Sequence, residues 1–383
     1  MNNTCESSSL HFEVDLKQAL IWVARALDYV GVDDTHHNHR VAYIAYQCAL
    51  ALGWDLKKAE FSYFAGMVHD CGVSETKEHL MLLETLMPQD AQAHCIRGYQ
   101  SLQQCNILAQ FAESILYHHT RWDELETLEV SPFNKDIAAL LYLSDRLDFL
   151  RAQFTDECHS DMVTLHEHAI ADTIMTNAGS LFHPGMCAVM VRLIMTDGFW
   201  FAMESENIET IGLGFSHIDW LQKQLTIGDL MSLGLFLARI VDAKSPFTYQ
   251  HSQKVAEISR FLAGKMSLCE HDQEMIFIAG LVHDIGKLKI AEWASNHHER
   301  LDGSGYPYHK TATNLDLPSR IIAVADVFQA LSQDRPYRPR MPQHEIEALM
   351  TALVDDGKLC PTVFGTLKRH LDDCYQMSIQ DSK

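Results

Sequence analysis

His283-Asp284 and His297-His298 bring three imidazoles and a carboxylate into a short stretch of chain. Farther on, Asp326 lies inside the apolar run Ile321-Ile322-Ala323-Val324-Ala325-Asp326-Val327-Phe328, and His251 stands upstream of them all. Burying a carboxylate without a partner costs several kcal/mol. A metal ion shared with nearby imidazoles is one way to hold it. Nitrogen and oxygen donors together suit Fe, Mn, Zn or Ni rather than Mg or Ca. A single His on an apolar helix is more often a hydrogen-bonded core residue than a ligand, but here the pattern occurs twice. His37, His69-Asp70, His118-His119 and Asp145 reproduce it in the first half of the chain. His159, His166, His168 and His183 have no such pairing and are read as ordinary core or surface residues.

The elements that must position these groups are helices. Leu20, Val23, Leu27 and Val30 recur at steps of three or four, as do Ile240, Val241, Val255 and Ile258. Strand-like alternation and Asn-Gly hairpin signals are absent. Apolar stretches Phe277–Val282 and Ile290–Asn296 run into His283-Asp284 and His297-His298. The two halves match at a constant offset of 214 residues: Ala42 with Ala256, and Ala65, Gly66, Val68, His69, Asp70 and Gly72 with Ala279, Gly280, Val282, His283, Asp284 and Gly286. Beyond that point copy two is shorter, since His118-His119 answers to His297-His298 at an offset of only 179. A repeat this long predicts two all-α domains rather than a solenoid, residues 1–225 and 226–383.

The chain of 383 residues is 47% hydrophobic, enough for two cores. Its net charge of −21 argues against a polymeric nucleic acid or an anionic membrane as partner. An acidic protein that handles an anionic substrate needs a local positive source, either metal ions or a few placed Lys and Arg. No apolar run approaches the roughly 18–20 residues that span a bilayer, and residues 1–20 carry no secretory pattern. The ten cysteines include no C-x-x-C. They are expected to be reduced thiols in a cytoplasmic protein.

The segment His297-His298-Glu299-Arg300-Leu301-Asp302-Gly303-Ser304-Gly305-Tyr306-Pro307 resembles the complete signature of the HD-GYP phosphodiesterases. His283-Asp284-Ile285-Gly286-Lys287 resembles their second mark, and Asp326 through Arg335-Pro336-Tyr337-Arg338 a third. An HD-type copy ahead of an HD-GYP copy is similar to bacterial enzymes that open 3′,3′-cyclic GMP-AMP; the wider family hydrolyses cyclic di-GMP. The resemblance implies a cyclic-dinucleotide substrate and two divalent transition metals, Fe or Mn first, Ni or Zn as alternatives. It implies metal ligands His251, His283, Asp284, His297, His298 and Asp326, with Asp284 shared between the ions. Asp284 and Lys287 would be catalytic, and Lys287, Arg335 and Arg338 would contact substrate phosphate. Gly303 and Gly305 permit backbone angles other residues resist, and Pro307 stiffens the loop after Tyr306.

Two departures stand out. The family carries a further His ligand between the His-Asp and His-His pairs, but the thirteen residues between His283 and His297 include none. Phe247 occupies the place of an acidic third-metal ligand, so no third metal is expected. Copy one keeps His37, His69, Asp70, His94, His118, His119 and Asp145 but has Val73 for the Lys, no Gly-Tyr-Pro loop, and Phe154 and Glu157 for the two Arg. It is expected either to bind metal or to serve as a packing and regulatory partner. The leading expectation is a phosphodiesterase producing a linear dinucleotide at copy two. A catalytically impaired binding or signalling module, and a mononucleotidase acting through copy one, are the alternatives. Contact between the copies and homodimerisation are both left open.

Overall fold

The computed structural model describes residues 15–28, 36–73, 78, 81–82, 85–88, 91–154, 160–222, 225–243, 250–285, 292–334 and 338–380. Their regular structure is helical throughout. Isolated β-bridges join Ala178 to Phe182 and Asp302 to Thr311. None of the described helices is long and apolar enough to cross a membrane. The chain divides into two compact units, one holding Glu13–Gln224 and the other Leu225–Lys383.

The first unit contains α1 (Leu16–Asp28), α2 (His37–Ala51), α3 (Leu56–Val68), α4 (Gln92–Gln103), α5 (Ala112–Leu116), α6 (Pro132–Ala152), α7 (Glu167–Thr176), α8 (Pro184–Ile194) and α9 (Ser205–Leu213), with single turns between. Local chemistry starts the helices that matter for the site. The Asp55 carboxylate accepts the Lys58 N–H at the head of α3. Ser131 accepts the Asn134 N–H ahead of Pro132 in α6. Helix α6 is buried on every face from Ile137 to Leu150, so it runs through the middle of the unit. Any polar residue on that stretch must find a partner inside.

The second unit contains α10 (Ile227–Ala243), α11 (His251–Lys265), α12 (Glu270–Leu281), α13 (Leu317–Ser332), α14 (Gln343–Asp355), α15 (Pro361–Arg369) and α16 (Leu371–Ile379). Its core joins Val255, Ile258 and Leu262 of α11 to Ile321, Ile322, Val324 and Phe328 of α13, closed by Ile346, Met350, Val363 and Leu367. Each such side chain contributes roughly 1.5–3 kcal/mol. The apolar stretch Ile290–Asn296 forms only a single-turn helix, Glu292–Ser295, among the described residues.

Two devices recur in both units. A Cβ on Gly66 would lie 2.6 Å from Ala42 Cα, and one on Gly280 would lie 2.7 Å from Ala256 Cα. The helix bearing the first His and the helix leading to the His-Asp pair therefore touch backbone to backbone. The residue before that first His is left-handed in both units, His36 at φ 82° and Gln250 at φ 71°. Such a conformation costs a residue with a side chain about 1–2 kcal/mol. It turns the chain sharply, so that His37 and His251 open their helices.

Candidate metal centre

In the second unit four elements deliver the donors. His251 is the first residue of α11, and His283 and Asp284 form the turn after α12. His297 and His298 follow the single turn at Glu292–Ser295, and Asp326 sits midway along α13. His251 Nε2 lies 3.6 Å from Asp284 Oδ2 and 3.4 Å from Asp326 Oδ1. His283 Nε2 lies 3.6 Å from Asp284 Oδ1 and 3.9 Å from Asp326 Oδ1. His297 Nε2 lies 3.9 Å from Asp284 Oδ1. The donor atoms form two groups, each spanning no more than 4.8 Å: His251, His283 and Asp284, and His297, His298 and Asp326.

The first unit repeats this arrangement with one more imidazole. Asp70 Oδ2 faces His37 Nε2 at 3.7 Å and His69 Nε2 at 3.4 Å. Its other oxygen faces His94 Nε2 at 3.5 Å and His118 Nε2 at 3.9 Å. Asp145 lies 3.5 Å from His37 and 3.6 Å from His119. His94 arrives on α4, which passes so close that a Cβ on Gly72 would lie 2.0 Å from the His94 carbonyl. That approach is why a glycine follows the His-Asp pair there.

These donors fit a metal. Bonds of about 2.0–2.2 Å from imidazole and carboxylate put neighbouring ligand atoms roughly 3.0–3.5 Å apart. The 3.3 Å between His94 Nε2 and His118 Nε2 falls in that range. The ring orientations point the same way. His69 Nδ1–H donates to the Gly66 carbonyl at 2.8 Å and His283 Nδ1–H to the Gly280 carbonyl at 2.7 Å. In both rings Nε2 is buried with no hydrogen-bond partner. A ring whose Nδ1–H is committed to a carbonyl behind it turns Nε2 into the cluster of carboxylates and is set to ligate. Burial pushes the His69 imidazole down to about 4, which keeps it neutral. Burial pushes the Asp326 carboxyl up, yet its His251 hydrogen bond and the surrounding imidazoles hold it below the usual carboxylate range. Asp145 is likewise held well below that range against burial, chiefly by the Arg146 guanidinium, which donates to it at 2.8 Å.

Several partners escaped the sequence reading. His37 Nδ1–H donates to Asp148 at 2.8 Å, and Arg40 and Arg151 each donate to the same carboxylate at 2.7 Å. His251 Nδ1–H donates to the Gln329 side-chain oxygen. Asp148 and Gln329 each lie three residues beyond the metal-facing Asp, on the same side of the helix. That i, i+3 spacing was the available signal. Arg338 donates to the Ala330 carbonyl at 2.9 Å. Lys287 and Arg335 lie outside the described residues, as does Glu157, while Phe154 stacks on His166 at 4.4 Å. The loop after His298 is described in full: Gly303 has φ +82°, and a Cβ on Gly305 would lie 2.4 Å from the main chain of Glu299 and Arg300. Tyr306 lies against His298, and Pro307 follows through a cis bond.

Residues 35–150 match the HD domain family, 210–314 the HDOD domain family, and 287–359 a second HD domain family. The fold and the paired His-Asp clusters thus place the chain among helical HD-domain proteins. It is 39% identical to the 3′3′-cGAMP-specific phosphodiesterase 1 of Vibrio cholerae, over 99% of this chain and 97% of that protein. It is 29% identical to the cyclic di-GMP phosphodiesterase of Thermotoga maritima, over 34% of this chain and 47% of that one. A crystal structure of a cyclic GMP-AMP-specific phosphodiesterase from V. cholerae shares the fold, with a TM-score of 0.62 at 20% identity, over 93% of this chain and 97% of that one. The chain belongs to the HD-domain family of metal-dependent cyclic-dinucleotide phosphodiesterases.

Proposed function

We propose that the second unit hydrolyses 3′,3′-cyclic GMP-AMP, or a closely similar cyclic dinucleotide, to a linear dinucleotide. His251, His283, Asp284 and Asp326 would hold one divalent transition metal, Fe or Mn. His297 and His298, with Asp284 shared, would hold a second. When bound, such ions supply positive charge for the phosphoryl oxygens and lower the pKa of water toward neutrality. The chain's own part is positional. His283 is locked from behind by the Gly280 carbonyl, and His251 by Gln329. Asp284 divides its two oxygens between His251 on one side and His283 and His297 on the other. Its side chain is 36% exposed, so a phosphodiester can approach along that edge. Lys287, Arg335 and Arg338 would take the phosphate charge that an overall acidic chain otherwise repels.

The observation that carries this reading is the convergence of His251, His283 and His297 on the carboxylates of Asp284 and Asp326, with His283 Nε2 buried and without a hydrogen bond. The test is incubation with Mn or Fe and 3′,3′-cyclic GMP-AMP or cyclic di-GMP. Linear product should form, and His283→Ala should remove more than the about 100-fold typical of altering groups behind a ligand. Absence of linear product under every metal would sink the proposal.

One observation favours a second reading. His94 completes the donor group in the first unit, and the described residues between His283 and His297 offer no counterpart. The second unit would then bind a cyclic dinucleotide without opening it. Calorimetry that detects binding in metal-loaded protein while no linear product accumulates would select this reading.

A further inference from the structure

Glu299 stands inside the eleven-residue signature, directly after His298, and no role described above uses it. It is 2% exposed. A carboxylate this deep needs donors, and it has two, both from main chain. The Tyr308 N–H donates to one oxygen at 2.6 Å and the Lys310 N–H to the other at 2.9 Å. The carboxylate thereby closes the chain that follows into a loop. Other contacts hold the same loop. Gly305 sits flush on the main chain of Glu299 and Arg300. The Tyr306 N–H donates to the His298 carbonyl at 3.4 Å. Asp302 accepts the Ser304 N–H at 2.9 Å. The product of this folding is the placement of one ring. Tyr306, 57% exposed and contributing little to the core, lies 4.6 Å from the His298 imidazole, tilted by 34°.

We propose that Glu299 is a positioning residue for the metal centre: by gripping the Tyr308 and Lys310 amides it lays Tyr306 on His298 and fixes the direction of that imidazole. The inference rests on the reading of His298 as a metal ligand. Its logic is that of any group that orients a ligand without touching the ion. Such groups typically change metal affinity by about 10–100-fold when removed.

The experiment is Mn(II) titration of the full chain by calorimetry, together with amide hydrogen exchange. The second unit's binding component is identified as the one lost in His283→Ala. Glu299→Ala should weaken that component by about 10–100-fold and strip exchange protection from the Tyr308 and Lys310 amides. Glu299→Gln, which keeps one oxygen acceptor, should fall between. Tyr306→Ala, on an exposed ring, should fold normally and weaken Mn binding to a similar degree. If Glu299 acts through Tyr306, adding Glu299→Ala to Tyr306→Ala should cost no more than about twofold further. Exposed amides with unchanged Mn affinity would overturn the proposal, as would fully additive losses in the double variant. Should Glu299→Ala not fold, unchanged affinity in both Glu299→Gln and Tyr306→Ala would overturn it equally. His298→Ala separates the two levels: if it leaves Mn binding intact, the ligand assignment is at fault and the inference falls with it.

Discussion

Behind the leading histidine of each unit stands a different partner: a carboxylate, Asp148, braced by two arginines in the first, and an amide, Gln329, in the second. The two play one geometric part with unlike chemistry. The match between copies that pairs Asp145 with Asp326 therefore passes over them. Residues whose type the contact dictates are legible in sequence; residues needed only for the direction of a hydrogen bond are not. Gln329→Leu should leave His251 Nδ1 without its acceptor and weaken Mn binding in the second unit by about 10–100-fold, read by calorimetry. Away from the centres, Glu209 accepts from Arg25 at 2.6 Å and from His39 at 3.2 Å, joining α9 to α1 and α2. Against the upward push of burial, His39 and Arg25 pull its carboxyl from 4.5 down to about 2. The contribution is complete above the unfolded carboxyl's range and is lost as pH falls from about 4.5 toward 2. Melting temperature measured across that window should fall less steeply in Glu209→Gln than in the parent. Superimposable acid limbs would refute this account.

At the scale of elements, the contacts Ala42–Gly66 and Ala256–Gly280 decide how the paired helices meet. The sequence showed the four residues only as matching positions of the repeat; the contact explains the match, since only the smallest residues satisfy it. The left-handed residues His36 and Gln250 were not visible, since neither is the glycine that such a backbone ordinarily favours. The helix expected over Ile290–Asn296 ends, among the described residues, at Ser295 for a related reason. Apolar periodicity over seven residues cannot set length when the segment's task is to hand the chain to His297. A methyl on either glycine meets backbone, which cannot yield as a side chain can. Gly66→Ala and Gly280→Ala should each cost about 1–3 kcal/mol, seen as a lower urea midpoint with unchanged slope. A midpoint equal to the parent's in both would show that the helices can part without penalty.

For the whole molecule, the helical class followed from periodicity alone, whereas the partnering of buried charges needed three dimensions. The same donor arrangement occurs twice in one chain with different access to solvent. The Asp70 side chain is 8% exposed and His69, His94 and His118 are fully buried, against 36% for Asp284. Metal that binds only the folded state stabilises it by about 4 kcal/mol at a thousandfold excess over its dissociation constant. A chelator should therefore lower the melting temperature of the full chain, with the second unit giving up its metal first. Metal content against dialysis time should fall in two phases, and His283→Ala should abolish the faster one. A single phase unaffected by that substitution would contradict the expectation. The exposed edge of Asp284 then has a kinetic meaning. An ion held beside it would trade places with the surrounding pool far sooner than any ion enclosed by the sealed cluster of the first unit.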